Sequence, residues 1–201
     1  MFIGTTHGDI FYSPDSGQTI HQLVYVDSEP IVALLHTSKG ELLAATDNLG
    51  LVNFGKDRSQ WMRKKDANEV ARVTVRGIIN GTVIGDFSSM SCLTEEPVSG
   101  HIFVSSGQGI FSTMDNRKTC RKPSLNLNVE TMIHNPNLNL LVAASMLNGR
   151  FVSRDLGGTW ISVNNVLGDL PRIISFCSDQ QGTVYAGTRD QGLYKVKMIL
   201  P

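Results

Sequence analysis

The 201-residue sequence predicts an all-β fold, a β-propeller of about five antiparallel blades, from three observations. A strand–turn–strand unit recurs five times. Its period is close to the roughly 40 residues of a four-stranded blade. Small residues close the first strand of most copies, where sheets converging on an axis must pack closely.

Each unit pairs an apolar strand with a second strand carrying an aromatic or aliphatic residue, across a short polar turn that closes on glycine. The copies are Phe2 to Thr5 with Gly8 to Phe11, Leu42 to Ala45 with Gly50 to Val52, and Ile102 to Ser105 with Gly109 to Phe111. Leu141 to Ala144 with Gly149 to Phe151, and Val184 to Gly187 with Gly192 to Tyr194, complete the set. The glycines at 8, 50, 109, 149 and 192 lie 42, 59, 40 and 43 residues apart. A solenoid would need a shorter period, and a sandwich would not require the same hairpin five times. A single domain over residues 1–201 is therefore expected. The spacing of 59 places an insertion at about residues 66–90, where Val73 to Ile79 and Thr82 to Ile84 flank Asn80-Gly81, a dipeptide suited to a type I′ turn. An extra hairpin is expected there, with a degenerate blade as the alternative.

Lys plus Arg equals Asp plus Glu, 18 against 18, so no overall field favours nucleic acid or an anionic membrane as a partner. The run Arg63-Lys64-Lys65 reads as solvated surface. Cys92, Cys120 and Cys177 are odd in number and far apart, which argues for buried reduced thiols rather than a disulfide framework or a zinc knuckle. No basic segment followed by an apolar stretch marks the start, and nowhere do about 18 apolar residues run together. A soluble, cytoplasmic protein is expected; a component of a virus particle would read the same way.

The most specific signal follows the second strand of the unit: Ser153-Arg154-Asp155-Leu156-Gly157-Gly158-Thr159-Trp160. Ser13-Pro14-Asp15-Ser16-Gly17-Gln18-Thr19-Ile20 keeps everything but the Trp, and a worn copy around Asp115 keeps Asp and Thr at the same offsets. The pattern resembles the Asp-box, or BNR, repeat of sialidases, sortilin-type receptors and photosystem II assembly factors. In a turn of this kind a short Asp carboxylate folds back onto backbone N–H groups and Gly accepts a positive φ, while the aromatic fills the gap between strands. Ser13, Asp15, Gly17, Asp115, Ser153, Asp155, Gly157 and Trp160 are read as structural. The resemblance implies that these boxes lie on the outer rim, away from any central site.

No catalytic residues are expected. A sialidase would need an arginine triad and a Tyr–Glu pair, and Pro171-Arg172-Ile173-Ile174 has the wrong order and place, leaving Arg172 as a partly exposed strand-edge residue. His7, His21, His36, His101 and His134 are scattered without metal-ligand spacing, so neither a metal nor a cofactor is expected. Glu95-Glu96 is the one adjacent acidic pair. It is read as a solvated loop, against the two convergent carboxylates of a reduced glycosidase.

Function is expected in the turns inside the five hairpins, which would emerge on the face opposite the boxes. His7, Asp47, Asn48, Gln108, Asn148, Arg189 and Asp190 are the candidate binding residues, with Leu49, Met146 and Leu147 exposed among them. A protein partner or larger assembly is the first expectation for a non-catalytic module of this kind, and a glycan is the alternative. The first copy lacks an inner strand and the last an outer one, so the ring closes on itself or the open edges form a homo-oligomer.

Overall fold

A computed structural model of the chain describes residues 1–26, 28–48, 50–56, 89–113, 125–164 and 171–196. Every regular element among them is a β-strand, and the strands form five small antiparallel sheets in which neighbours follow chain order. The chain divides into two compact units, Met1–Met90 and Ser91–Pro201.

In the first unit, β1 (Phe2–Gly4), β2 (Asp9–Tyr12) and β3 (His21–Tyr25) form one sheet, and β4 (Ile31–His36), β5 (Leu42–Thr46) and β6 (Leu51–Asn53) form another. Ile10 and Leu23 of the first sheet pack on Leu42, Ala44 and Val52 of the second. Gly4 is needed where β1 crosses β4, because a Cβ there would overlap the side chain of Ile31.

The second unit holds three sheets. They are β7 (Cys92–Glu96), β8 (His101–Ser106) and β9 (Gly109–Thr113); β10 (Val129–Asn135), β11 (Leu140–Ser145), β12 (Gly149–Ser153) and β13 (Ile161–Ser162); and β14 (Ile173–Ser178), β15 (Val184–Thr188) and β16 (Leu193–Val196). The period-2 alternation of β11 serves both neighbours. Leu141 and Ala143 pack with Phe103 and Met132 on one side, and Ala144 packs with Ile173, Val184 and Ala186 on the other. Of the small residues expected to pack closely, Ala44, Ala45, Ala143, Ala144 and Ala186 are buried and Gly187 is half-buried.

Each of the five hairpins read from the sequence is one hairpin of a separate sheet. The first copy is one residue out of step. Thr5 N–H donates to Asp9 where Thr46 donates to Gly50 and Thr188 to Gly192, so Gly8 sits inside its turn rather than closing it.

Two expectations are corrected. Glu95 and Glu96 lie on β7, not in a loop, and Glu96 is buried because its carboxylate accepts the N–H groups of Val98 and Ser99 at 2.7 and 2.8 Å, together with the Ser99 hydroxyl. Cys177 is exposed on β14 rather than buried, while Cys92 is partly buried and donates its thiol to Met132 O. The Asn80-Gly81 hairpin, Leu49, Cys120, Asp115 and the Arg63–Lys65 run lie outside the described residues. Among the described residues no helix is long and apolar enough to cross a membrane.

Candidate interaction surface

The two boxes form the same turn. Ser153 Oγ accepts the Gly157 N–H at 2.8 Å and donates to Asp155 Oδ1 at 2.8 Å, while Asp155 accepts the Thr159 N–H and hydroxyl at 2.8 and 2.7 Å. Ser13, Asp15, Gly17 and Thr19 repeat these four bonds within 0.1 Å. The carboxylate therefore takes one backbone N–H and two hydroxyls, not several N–H groups, and the Ser hydroxyl takes the other N–H. Sequence reading also missed that the residue before each glycine is left-handed, Ser16 at φ 58° and Leu156 at φ 53°. Trp160 fills a gap between sheets rather than between strands, packing with Phe103, Leu141 and Phe151.

Ser153 is buried, so Ser153→Ala removes the hydroxyl that accepts the Gly157 N–H and holds Asp155. A loss of about 1–3 kcal/mol is expected in urea unfolding followed by Trp160 fluorescence. The Thr19 hydroxyl and N–H hold the Asp15 carboxyl down at about 2, and the Thr159 N–H and hydroxyl hold Asp155 at about 2. Both groups bind a proton more readily in the unfolded chain, at about pH 4. Their contribution is thus complete above about pH 4 and is lost as the pH falls through about 2. The double variant Asp15→Asn, Asp155→Asn is expected to flatten the fall in urea midpoint across that interval.

The opposite ends of the strands carry the candidate binding residues. In the second unit three interactions align the first strands of the sheets: Ser91 Oγ donates to Val129 O at 2.7 Å, His134 N–H to Thr94 Oγ1 at 3.2 Å, and Asn135 Nδ2 to Gly182 O at 2.7 Å. The sheets run in the same sense, which puts the turns carrying Gln108, Asn148, and Arg189 with Asp190 at one end of the unit. All four residues are exposed. No protein-family model matches the chain, and no curated protein does.

An ion pair missed by sequence reading sits between two of these turns. Arg172, just before β14, donates Nε and Nη2 to the Glu130 carboxylate at 2.8 and 2.6 Å. Its hydrogen bond to Glu130, with the charges of Glu130 and Asp190, pushes the guanidinium pKa up. Glu130 reaches Arg172 from a bulge between Val129 and Thr131, and β4 and β14 carry the same bulge between Ile31 and Ala33 and between Ile173 and Ser175. A bulge re-aims the residue it inserts. The Arg189 N–H then ties its turn to Arg172 O at 3.0 Å. Arg172 is half-buried beside an edge strand, as expected, but its guanidinium is bound.

Asn148 is partly committed to its own hairpin. Its Oδ1 accepts the Ser145 hydroxyl at 3.3 Å, and Asn164 donates to its carbonyl at 3.2 Å while accepting the Arg150 N–H at 2.7 Å. This clamp holds the tip rigid with Leu147 87% exposed.

In the first unit His7, Asp47 and Asn48 also share one end. The Val26 N–H donates to Gly8 O and the Glu29 N–H to Val26 O, each at 2.8 Å, and Glu29 accepts both the N–H and the side-chain amide of Asn48 at 3.2 and 3.1 Å. The Asp47 N–H donates to Pro30 O at 3.2 Å. Among the described residues no group of three His, Cys, Asp or Glu side chains is placed to hold a metal ion.

Proposed function

We propose that the five sheets are blades of an Asp-box β-propeller acting as a non-catalytic binding and assembly module, which engages a protein partner through its hairpin-turn ends. The observation that carries this reading is the alignment of three turns in the second unit, which puts Gln108, Asn148, Arg189 and Asp190 at one end, with the Glu130–Arg172 pair beside the Arg189 turn. Rigid, hydrogen-bonded turns lose little entropy on binding. The surface alternates two carboxylates with two guanidiniums and adds an apolar tip at Met146 and Leu147, a mixture suited to a folded protein rather than to a polyanion. The identical serine, aspartate, glycine and threonine bonding of the two box turns supports the propeller reading.

The test is affinity capture from native extract with the full chain, beside the double variant Arg189→Ala, Asp47→Ala. Both residues are exposed, so the variant is expected to keep its fold and lose a stoichiometric protein partner. Equal recovery by both chains discards this choice of surface. Binding on a glycan array that the double variant retains replaces the reading with a lectin.

A further inference from the structure

Asn148 and Gly149 form one of two Asn-Gly pairs in the chain, the other being Asn80-Gly81 outside the described residues. A backbone nitrogen attacks the preceding side-chain amide most readily in such a pair, because glycine has no side chain to shield that nitrogen. Asn53 and Asn139 are also exposed, but Phe54 and Leu140 follow them and shield it.

Asn148 lies exposed in the turn between β11 and β12. Its Oδ1 accepts the Ser145 hydroxyl at 3.3 Å, which draws electrons from Cγ, and among the described residues its Nδ2 has no partner. The carbon to be attacked is thus polarised and the leaving group is free. Gly149 is left-handed at φ +86°, and a Cβ there would overlap the Asn164 amide, so the turn admits only glycine at the attacking position. The same shape that calls for this glycine makes the pair labile.

Asn164, just after β13, braces both sides of Gly149. Its Nδ2 donates to Asn148 O at 3.2 Å, and its Oδ1 accepts the Arg150 N–H at 2.7 Å. Attack needs a rotation about the Cα–C bond of Asn148 that swings the Gly149 nitrogen onto Cγ. The brace opposes that rotation, so the reaction waits on local opening of the turn.

We propose that Asn148 is a site of spontaneous modification, deamidating through a cyclic imide to aspartate and isoaspartate at a rate set by the Asn164 brace. The Gly149 nitrogen gives its proton to hydroxide and bonds to Asn148 Cγ. The Cγ–Nδ2 bond breaks, and the nitrogen leaves as ammonia with a proton from water. One further water opens the ring, and nothing is oxidised or reduced. Opening at Cγ gives aspartate and one more negative charge. Opening at the backbone carbonyl gives isoaspartate, which carries the chain through Cβ and Cγ. That extra carbon takes Gly149 out of register with Ser145 and draws the Arg150 N–H away from Asn164.

The test is incubation of the full chain in mildly alkaline buffer, followed by charge separation, peptide mass mapping and labelling with an isoaspartyl methyltransferase. Asn148 is expected to convert ahead of Asn53 and Asn139 in the folded chain, and faster still in the urea-unfolded chain. Asn164→Ala, with circular dichroism confirming its fold, is expected to convert Asn148 about tenfold faster than the wild type, because two hydrogen bonds no longer hold the turn closed. Should that variant not fold, the wild type in sub-denaturing urea serves instead, with hydrogen exchange at the Arg150 N–H and conversion at Asn148 rising together. Conversion of Asn148 no faster than that of Asn53 and Asn139 in the folded wild type overturns the proposal, as does a rate that stays constant when the brace is removed or released. The result is read on the purified chain with no partner present, so it stands or falls apart from the proposed binding surface.

Discussion

Replacing Phe103 with alanine is expected to destabilise the Ser91–Pro201 unit by about 3–5 kcal/mol, the largest loss from any single truncation proposed here. The ring is fully buried at the centre of the cluster formed by Ile110, Val129, Met132, Leu141 and Ala143, stacks on His101 at 4.4 Å between centroids, and meets the box turn at Gly157. Truncation leaves a cavity between two sheets whose backbones are held apart by their other side chains. Strand pairing also limits how far they can collapse. Phe103→Leu fills most of that space and is expected to cost less than about 1.5 kcal/mol. Urea unfolding followed by Trp160 fluorescence distinguishes the two, since Trp160 packs in the same cluster. Equal midpoints for both variants would show that the ring does not bridge the sheets.

Gly8→Ala is expected to cost about 3 kcal/mol, and Gly40→Ala about 1 kcal/mol. Both glycines are left-handed, at φ +88° and +81°, so each variant carries the cost of placing an L side chain there. They differ in space. A Cβ on Gly8 would lie 2.6 Å from the carbonyl oxygen of Val26 and 3.1 Å from the backbone N and O of Glu29, whereas a Cβ on Gly40 meets nothing within 4 Å. The neighbours of Gly8 are backbone and cannot rotate away. Displacing Glu29 also releases Asn48, which hangs on its carboxylate by two hydrogen bonds. The difference between the two variants in thermal unfolding measures the close approach itself. Hydrogen exchange at the Asn48 N–H reports whether the turn moves with it.

Much of this architecture was legible because it is local. Thr46 and Thr188 each close a hairpin onto a glycine four residues on, and Ser153 and Asp155 bond partners no more than four residues away, so a repeated spelling marks a repeated shape. The left-handed Ser16 and Leu156 were not legible, because neither residue type signals that conformation and only the four surrounding bonds impose it. Glu95 and Glu96 were misread because adjacent charges suggest a loop. In β7 alternate side chains face opposite ways, and Glu96 turns inward to bond the N–H groups of the turn that follows.

The candidate surface divides along the same line. Its residues were found as turn residues of a repeat, but Glu130 and Arg172 carried no signal, being 42 positions apart, with Glu130 unlike its bulge counterparts Val32 and Ile174. The sequence by itself determined the five hairpins and the places of the two box turns, since each depends on contacts within a few residues. Tertiary structure alone decided which turns share an end, that Glu130 reaches Arg172, and which faces are covered. Those outcomes depend on how separate sheets stack, and stacking is set by the combined fit of many apolar side chains rather than by any short stretch of chain.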